Sequence, residues 1–180
     1  MNKTKLHVVG FWCDTRQVSA RIKESRERAL SVLKAKNPEL FARSRPVRYP
    51  HPKYFVSEQP IPDARRVCEY LRGGHRIREQ MGYAYCRLAG DTPDEEMGTA
   101  DMTDGTWVWP EGLPIYVERY NVRLPDEFVE HMRRGDFKSP PCALNYENVQ
   151  YHLEKWTEWS ERCGAFDQDD QSSGPNLSGE

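Results

Sequence analysis

The chain has 180 residues, 37% hydrophobic and 30% charged, with 11% aromatics and a formal net charge of −2. That length suits one domain with a sizeable core, and the aromatic share argues against wholesale disorder. No apolar run approaches the roughly 20 residues of a bilayer-spanning helix, and Met1–Trp12 lacks the apolar segment and small-residue cleavage site of a secretory signal, so a cytoplasmic protein with no membrane partner is expected.

In chain order, Leu6–Trp12 is apolar and β-prone and reads as a buried strand. Asp14 or Thr15 is placed to cap a helix over Arg16–Lys36, with Val18, Ile22, Ala29 and Leu33 near one face and Asn37-Pro38 as its stop. Five prolines between residues 44 and 62 leave room only for a short strand at Tyr54–Val56. Pro62 leads into a helix over Asp63–Arg72 whose inner face is Val67, Cys68 and Leu71. Gly73-Gly74 breaks it, and a further helical turn or two is expected over His75–Met81.

Gly82–Leu88 alternates aromatic and small residues as a strand does. Gly90–Ala100 carries Asp91, Asp94, Glu95 and Glu96, whose mutual repulsion predicts a mobile loop. Thr106–Trp109 reads as a strand pairing with Tyr83–Leu88. Helices follow over Gly112–Tyr120 and over Asp126–Arg134, the second begun by Pro125 and ended by Gly135. Asn145 is a good N-cap for a last helix with Tyr146, Val149, Leu153 and Trp156 at helical spacing. From residue 166 the composition turns acidic and polar, which predicts a disordered tail. The sum is a single α+β domain over residues 4–165, a small antiparallel sheet with packed helices.

The densest segment runs from Asp101 to Leu113. Asp104-Gly105 is turn chemistry, Trp107 and Trp109 share one face of any strand through them, and Pro110 and Gly112 end the pairing. The tryptophans are either a binding platform or, the commoner use, a core anchor. Asp101, Asp104 and Glu111 could act as acid and base, although turn carboxylates are usually solvated. The block from Thr103 through Val117, with Val122–Phe128 after it and Tyr70–Gly74 and Gly82–Arg87 before it, resembles one shared by a group of mostly bacterial proteins with no established activity. The resemblance covers roughly residues 65–130 and implies a shared fold unit. The group often has His where this chain has Ile115 and Tyr120, and a second Cys where Leu88 and Ala89 stand here, so no feature built on those residues is expected.

The five cysteines, Cys13, Cys68, Cys86, Cys142 and Cys163, form no C-x-x-C pair, and buried free thiols are expected in place of disulfides or a zinc ribbon. No His or Cys stands at zinc spacing, so no metal or cofactor is expected. There is no P-loop, G-x-G-x-x-G or G-x-S-x-G. Gly74 and His75 between Arg72, Arg76 and Arg78 could hold a phosphate or nucleotide, with His75 as acid or base. Arg43, Arg45, Arg48, Lys53, Arg65, Arg66 and those three arginines interleave with Tyr49, Tyr54 and Phe55, as in single-strand nucleic-acid binders.

Charge is strongly segregated: residues 1–90 hold 19 Lys and Arg against 8 Asp and Glu, and residues 91–180 hold 7 against 20. Such halves either attract each other within one fold or present charged faces to a partner. The leading expectation is a non-enzymatic, immunity- or adaptor-like protein that binds a protein partner through charged surfaces. The alternatives are an anionic ligand at Gly73–Arg78 and single-stranded nucleic acid on the basic half.

Overall fold

A computed structural model describes residues 3–13, 28, 31–38, 48–88 and 90–166. They fall into two compact units, Met1–Trp12 with Pro50–Glu180, and Cys13–Tyr49. In the second unit residues 31–36 are helical, and the Asn37 N–H closes on the Leu33 carbonyl. The rest of the helix expected over Arg16–Lys36 lies outside the described residues, as does the expected tail beyond residue 166.

The first unit is α+β. Its strands are β1 (Thr4–Val8), β2 (His75–Glu79), β3 (Ala100–Thr103), β4 (Trp107–Pro110) and β5 (Val149–His152). Its helices are α1 (Ala64–Arg72), α2 (Leu113–Tyr120), α3 (Asp126–Arg134) and α4 (Glu154–Arg162). The sheet order is β2-β3-β4-β1-β5. It is mixed, which corrects the antiparallel expectation: β2, β3 and β4 run antiparallel, while β1 is parallel to both β4 and β5. The parallel pairs join segments about a hundred residues or more apart, and no local pattern announces such pairing.

The sheet is curled. β3 and β5 are separated by β4 and β1, roughly 14 Å in a flat sheet at about 4.8 Å per strand. Yet the Tyr151 hydroxyl on β5 donates to Asp101 Oδ2 on β3 at 2.9 Å, which requires that face to be concave. On the opposite face Trp107 and Trp109 meet α1 and α3. Trp109 lies against Tyr70 and Phe128 at ring separations of 6.0 and 5.6 Å, and its indole N–H donates to the Leu71 carbonyl. A second aromatic cluster joins Trp12, Phe55, Trp156 and Trp159, with Phe55 stacked on Trp159 at 4.5 Å.

Several expectations are corrected. Within His75–Met81 the chain forms the strand β2 (His75–Glu79) and no helical turn. Gly73 ends α1 by donating to the Glu69 and Tyr70 carbonyls, and Gly74 lies so close to Trp109 that a Cβ there would come within 2.6 Å of the indole. The chain therefore leaves α1 along the sheet, with Ile77 buried and Arg76 and Glu79 outward. Gly82–Leu88 forms no strand; Ala84 N–H donates to Gly98 O, and Arg87 N–H to the Tyr116 hydroxyl. The partner of β4 is instead Ala100–Thr103, four buried residues whose Asp101 hides the β pattern. Within the acidic stretch, Asp94–Met97 forms a single 3-10 turn anchored by buried Met97.

Tyr54 belongs to a 3-10 turn over Pro52–Phe55, and Val56 makes a lone bridge to Val122. The helical spacing read from Asn145 breaks into a turn (Tyr146–Asn148), β5 and then α4. Pairing of Val149–His152 with Thr4–His7 outweighs the helical period there. Strand β1 starts earlier and stops sooner than Leu6–Trp12, because Gly10 turns at φ +72° against Leu113. The helices over Asp63–Arg72, Gly112–Tyr120 and Asp126–Arg134 lie where the sequence places them, to within a residue.

Candidate functional site

Trp107, Val108 and Trp109 are all buried, so both faces of β4 are interior and the tryptophans anchor the core. Asp101 and Asp104 are buried, which overturns the expectation of solvated carboxylates for those two, while Glu111 stays part-exposed in its turn. Asp104 follows from turn chemistry: its Oδ1 accepts the backbone N–H groups of Thr106 and Trp107, both at 2.7 Å, which shapes the turn that Gly105 completes at φ +90°. Its Oδ2 accepts the Tyr70 hydroxyl of α1 at 2.6 Å and His131 Nε2 of α3 at 2.9 Å. One buried carboxylate thus ties the β3–β4 turn to two helices. Burial and the hydrogen bond to Asp104 push the Tyr70 hydroxyl far above its ordinary value, which keeps it a donor.

Glu111 has a similar role, since its Oε2 accepts the N–H groups of Thr99 and Ala100 where β3 begins. Asp101 is different. Burial pushes its carboxyl up from the usual range, and the Tyr151 hydrogen bond and the Arg78 charge draw it back only in part. Arg78 stacks on Tyr146 at 4.7 Å and forms no ion pair with Asp101.

The residues of the expected anion site are not gathered on one point. Arg72 pairs with Glu118 at 2.5 Å, and Arg76 pairs with Glu111 and Glu79. His75 Nε2 lies 3.1 Å from the Leu144 carbonyl, Arg78 sits on Tyr146, and Gly74 is packed under Trp109. Among the nucleic-acid candidates, Phe55 is fully buried, Arg65 pairs with Glu69, and Arg66 pairs with Asp136 while lying over Phe137. Arg43 and Arg45 lie outside the described residues. Arg66–Asp136, Arg72–Glu118 and Arg76–Glu111 each join the basic half to the acidic half, so part of the charge segregation is complementarity within the fold.

All five cysteines are free thiols, but only Cys68 is buried; the others are half-buried, short of the expectation that all would be interior. Among the described residues no three or more His, Cys, Asp or Glu side chains are placed to share a metal ion, and no helix is long and apolar enough to cross a membrane.

The feature that sequence reasoning missed is a groove of about 690 Å³ between residues 57–62, α3 and α4. Leu124, Val129 and Trp159 line it as apolar surface, and Pro60-Ile61-Pro62 forms one wall. That wall is held by Asn121, in the left-handed region at φ +54°, whose side-chain amide donates to the Ser57 and Gln59 carbonyls and accepts from Ile61 N–H. Arg133 ties α3 to Asp63 at 3.2 Å and also pairs with Glu130 of the same helix at 3.1 Å. Arg123 lines the groove with no ion-pair partner among the described residues, and Arg134 only approaches Glu130, at 3.9 Å. Two prolines around a lone Ile, ahead of a helix, were the available signal. Which residues face them across the groove is not a local property.

No family model, curated protein or solved structure matches the chain.

Proposed function

We propose that this chain is a non-enzymatic, adaptor-like protein whose partner docks in the groove between residues 57–62, α3 and α4. The observation that carries the reading is a groove with an apolar lining, a wall pinned by Asn121, and a guanidinium at Arg123 with no ion-pair partner among the described residues. Walls fixed before binding lower the ordering cost of association. The occupant is an extended segment of another protein that offers an apolar side chain to Val129 and Trp159 and a carboxylate to Arg123 and Arg134. Asp126, Glu127 and Glu130 line the same groove beside Arg123, Arg133 and Arg134, so selection comes from the apolar anchor placed beside one carboxylate and not from net charge.

This reading moves recognition away from bulk charge, because three arginines of the basic half already face carboxylates of the acidic half. Isothermal titration with an acidic, apolar-anchored peptide, on wild type and on Arg123→Glu, tests it. Binding should weaken by about tenfold or more in the variant, on the scale of losing a charge-assisted contact. Equal affinity for the two proteins would remove the groove from consideration.

A further inference from the structure

The β1–β5 seam sets two imidazoles side by side. His7 and His152 are register partners in the parallel ladder, so adjacent strands carry them on one face. The His7 ring lies 5.2 Å from the Trp107 ring, and the Lys155 ammonium lies over that same indole at 5.6 Å. His152 Nε2 is buried with no hydrogen-bond partner among the described residues. The charged and titratable groups that face His7 are Lys155, Glu127, His152 and Glu154, and of the two carboxylates Glu127 is already paired with Lys155. An added proton on His7 therefore meets an ammonium and a second imidazole, with the Glu127 carboxylate already engaged.

We propose that this seam is an acid-sensitive catch: protonation of His7 weakens the β1–β5 pairing and lets the edge strand β5 open, while the β3–β4 hairpin stays closed. Position in the sheet makes the effect local, because β5 is an edge strand whose backbone ladder is with β1, the Tyr151–Asp101 hydrogen bond being its side-chain tie to β3. A like charge close by disfavours the protonated imidazole, and here that charge is the Lys155 ammonium over the same Trp107 ring. Burial, and next the Lys155 charge, hold the His7 imidazole below its ordinary value of 6.5. A base depressed in the closed state takes up a proton more readily in the open one. The seam is accordingly at full strength above about pH 6.5 and weakens as acid carries the solution down through the lower value of closed His7.

Amide hydrogen exchange at pH 7.5 and pH 5.0, corrected for intrinsic rates, reads the catch directly, alongside NMR titration of the His7 ring. Protection of β5 amides should fall roughly fivefold more than that of the β3–β4 hairpin, the scale of one like-charge contact. His7→Gln should flatten that difference, and Lys155→Gln should shrink it. A His7 ring that titrates at or above 6.5, equal responses of β5 and the hairpin, or an acid response that survives in His7→Gln would each overturn the proposal. Should His7→Gln fail to fold, the wild-type ring titration and exchange profile decide it alone.

Discussion

Replacing Asp104 removes the acceptor that joins the β3–β4 turn to α1 and α3, and the loss can be sized from its four hydrogen bonds. Two come from backbone N–H groups at 2.7 Å, one from Tyr70 at 2.6 Å and one from His131 at 2.9 Å. A hydrogen bond contributes about 1 kcal/mol net, and a buried donor left unpaired costs about 1–3 kcal/mol. The Asp104 side chain is 0% exposed, whereas that of His131 is 31% exposed, so water can replace the carboxylate at His131 but not at the Tyr70 hydroxyl or the Trp107 N–H. Asp104→Ala is therefore expected to cost about 4–5 kcal/mol. Asp104→Asn keeps an acceptor for the turn and turns a donor toward Tyr70 and His131, at about 2 kcal/mol. Urea unfolding reads both: with a slope near 2 kcal/mol/M, the alanine midpoint should fall by about 2 M at unchanged slope. A loss under about 1 kcal/mol in Asp104→Ala would refute the idea that this carboxylate holds the segment together.

Two further outcomes follow from the same packing. Asp101 has its carboxyl raised in the folded state, so its contribution is present below the unfolded value near 4 and is lost as pH rises through the folded value. Asp101→Asn, which keeps an acceptor for Tyr151, should then be more stable than wild type at pH 7 and equal to it near pH 3; a lower melting temperature at pH 7 would contradict this. Gly74→Ala places a Cβ 2.6 Å from the Trp109 ring and should destabilise by about 1–3 kcal/mol, with a changed tryptophan emission; a neutral effect would mean that the approach of Gly74 to Trp109 is not tight.

Helices α1, α2 and α3 were legible because their signals are local. Pro62 before α1, Pro125 before α3, and the glycines after both are read from a few adjacent residues. The strands were harder, since what selects them is a partner far along the chain. Ala100–Thr103 carries a charged residue that looks like loop, and it becomes a central strand only because β2 and β4 flank it. Val149–His152 fits a helical period as well as a strand, and β1 decides between them. The arginines around Gly73 were visible as types, but their carboxylate partners lie some thirty-five to seventy residues away, so the sequence could not show that they are engaged. Asp104 was visible as a turn former, and its two helix donors were not.

The groove is tested most directly by selecting peptides from a random display library on the immobilised chain, with Arg123→Glu and Val129→Asp as counter-selections. Sequences that pair an apolar residue with a neighbouring Asp or Glu should be enriched, with their binding lost in both variants while the melting temperatures stay near wild type. Enriched peptides that bind wild type and both variants alike would contradict it, as would a selection that yields no sequence preference.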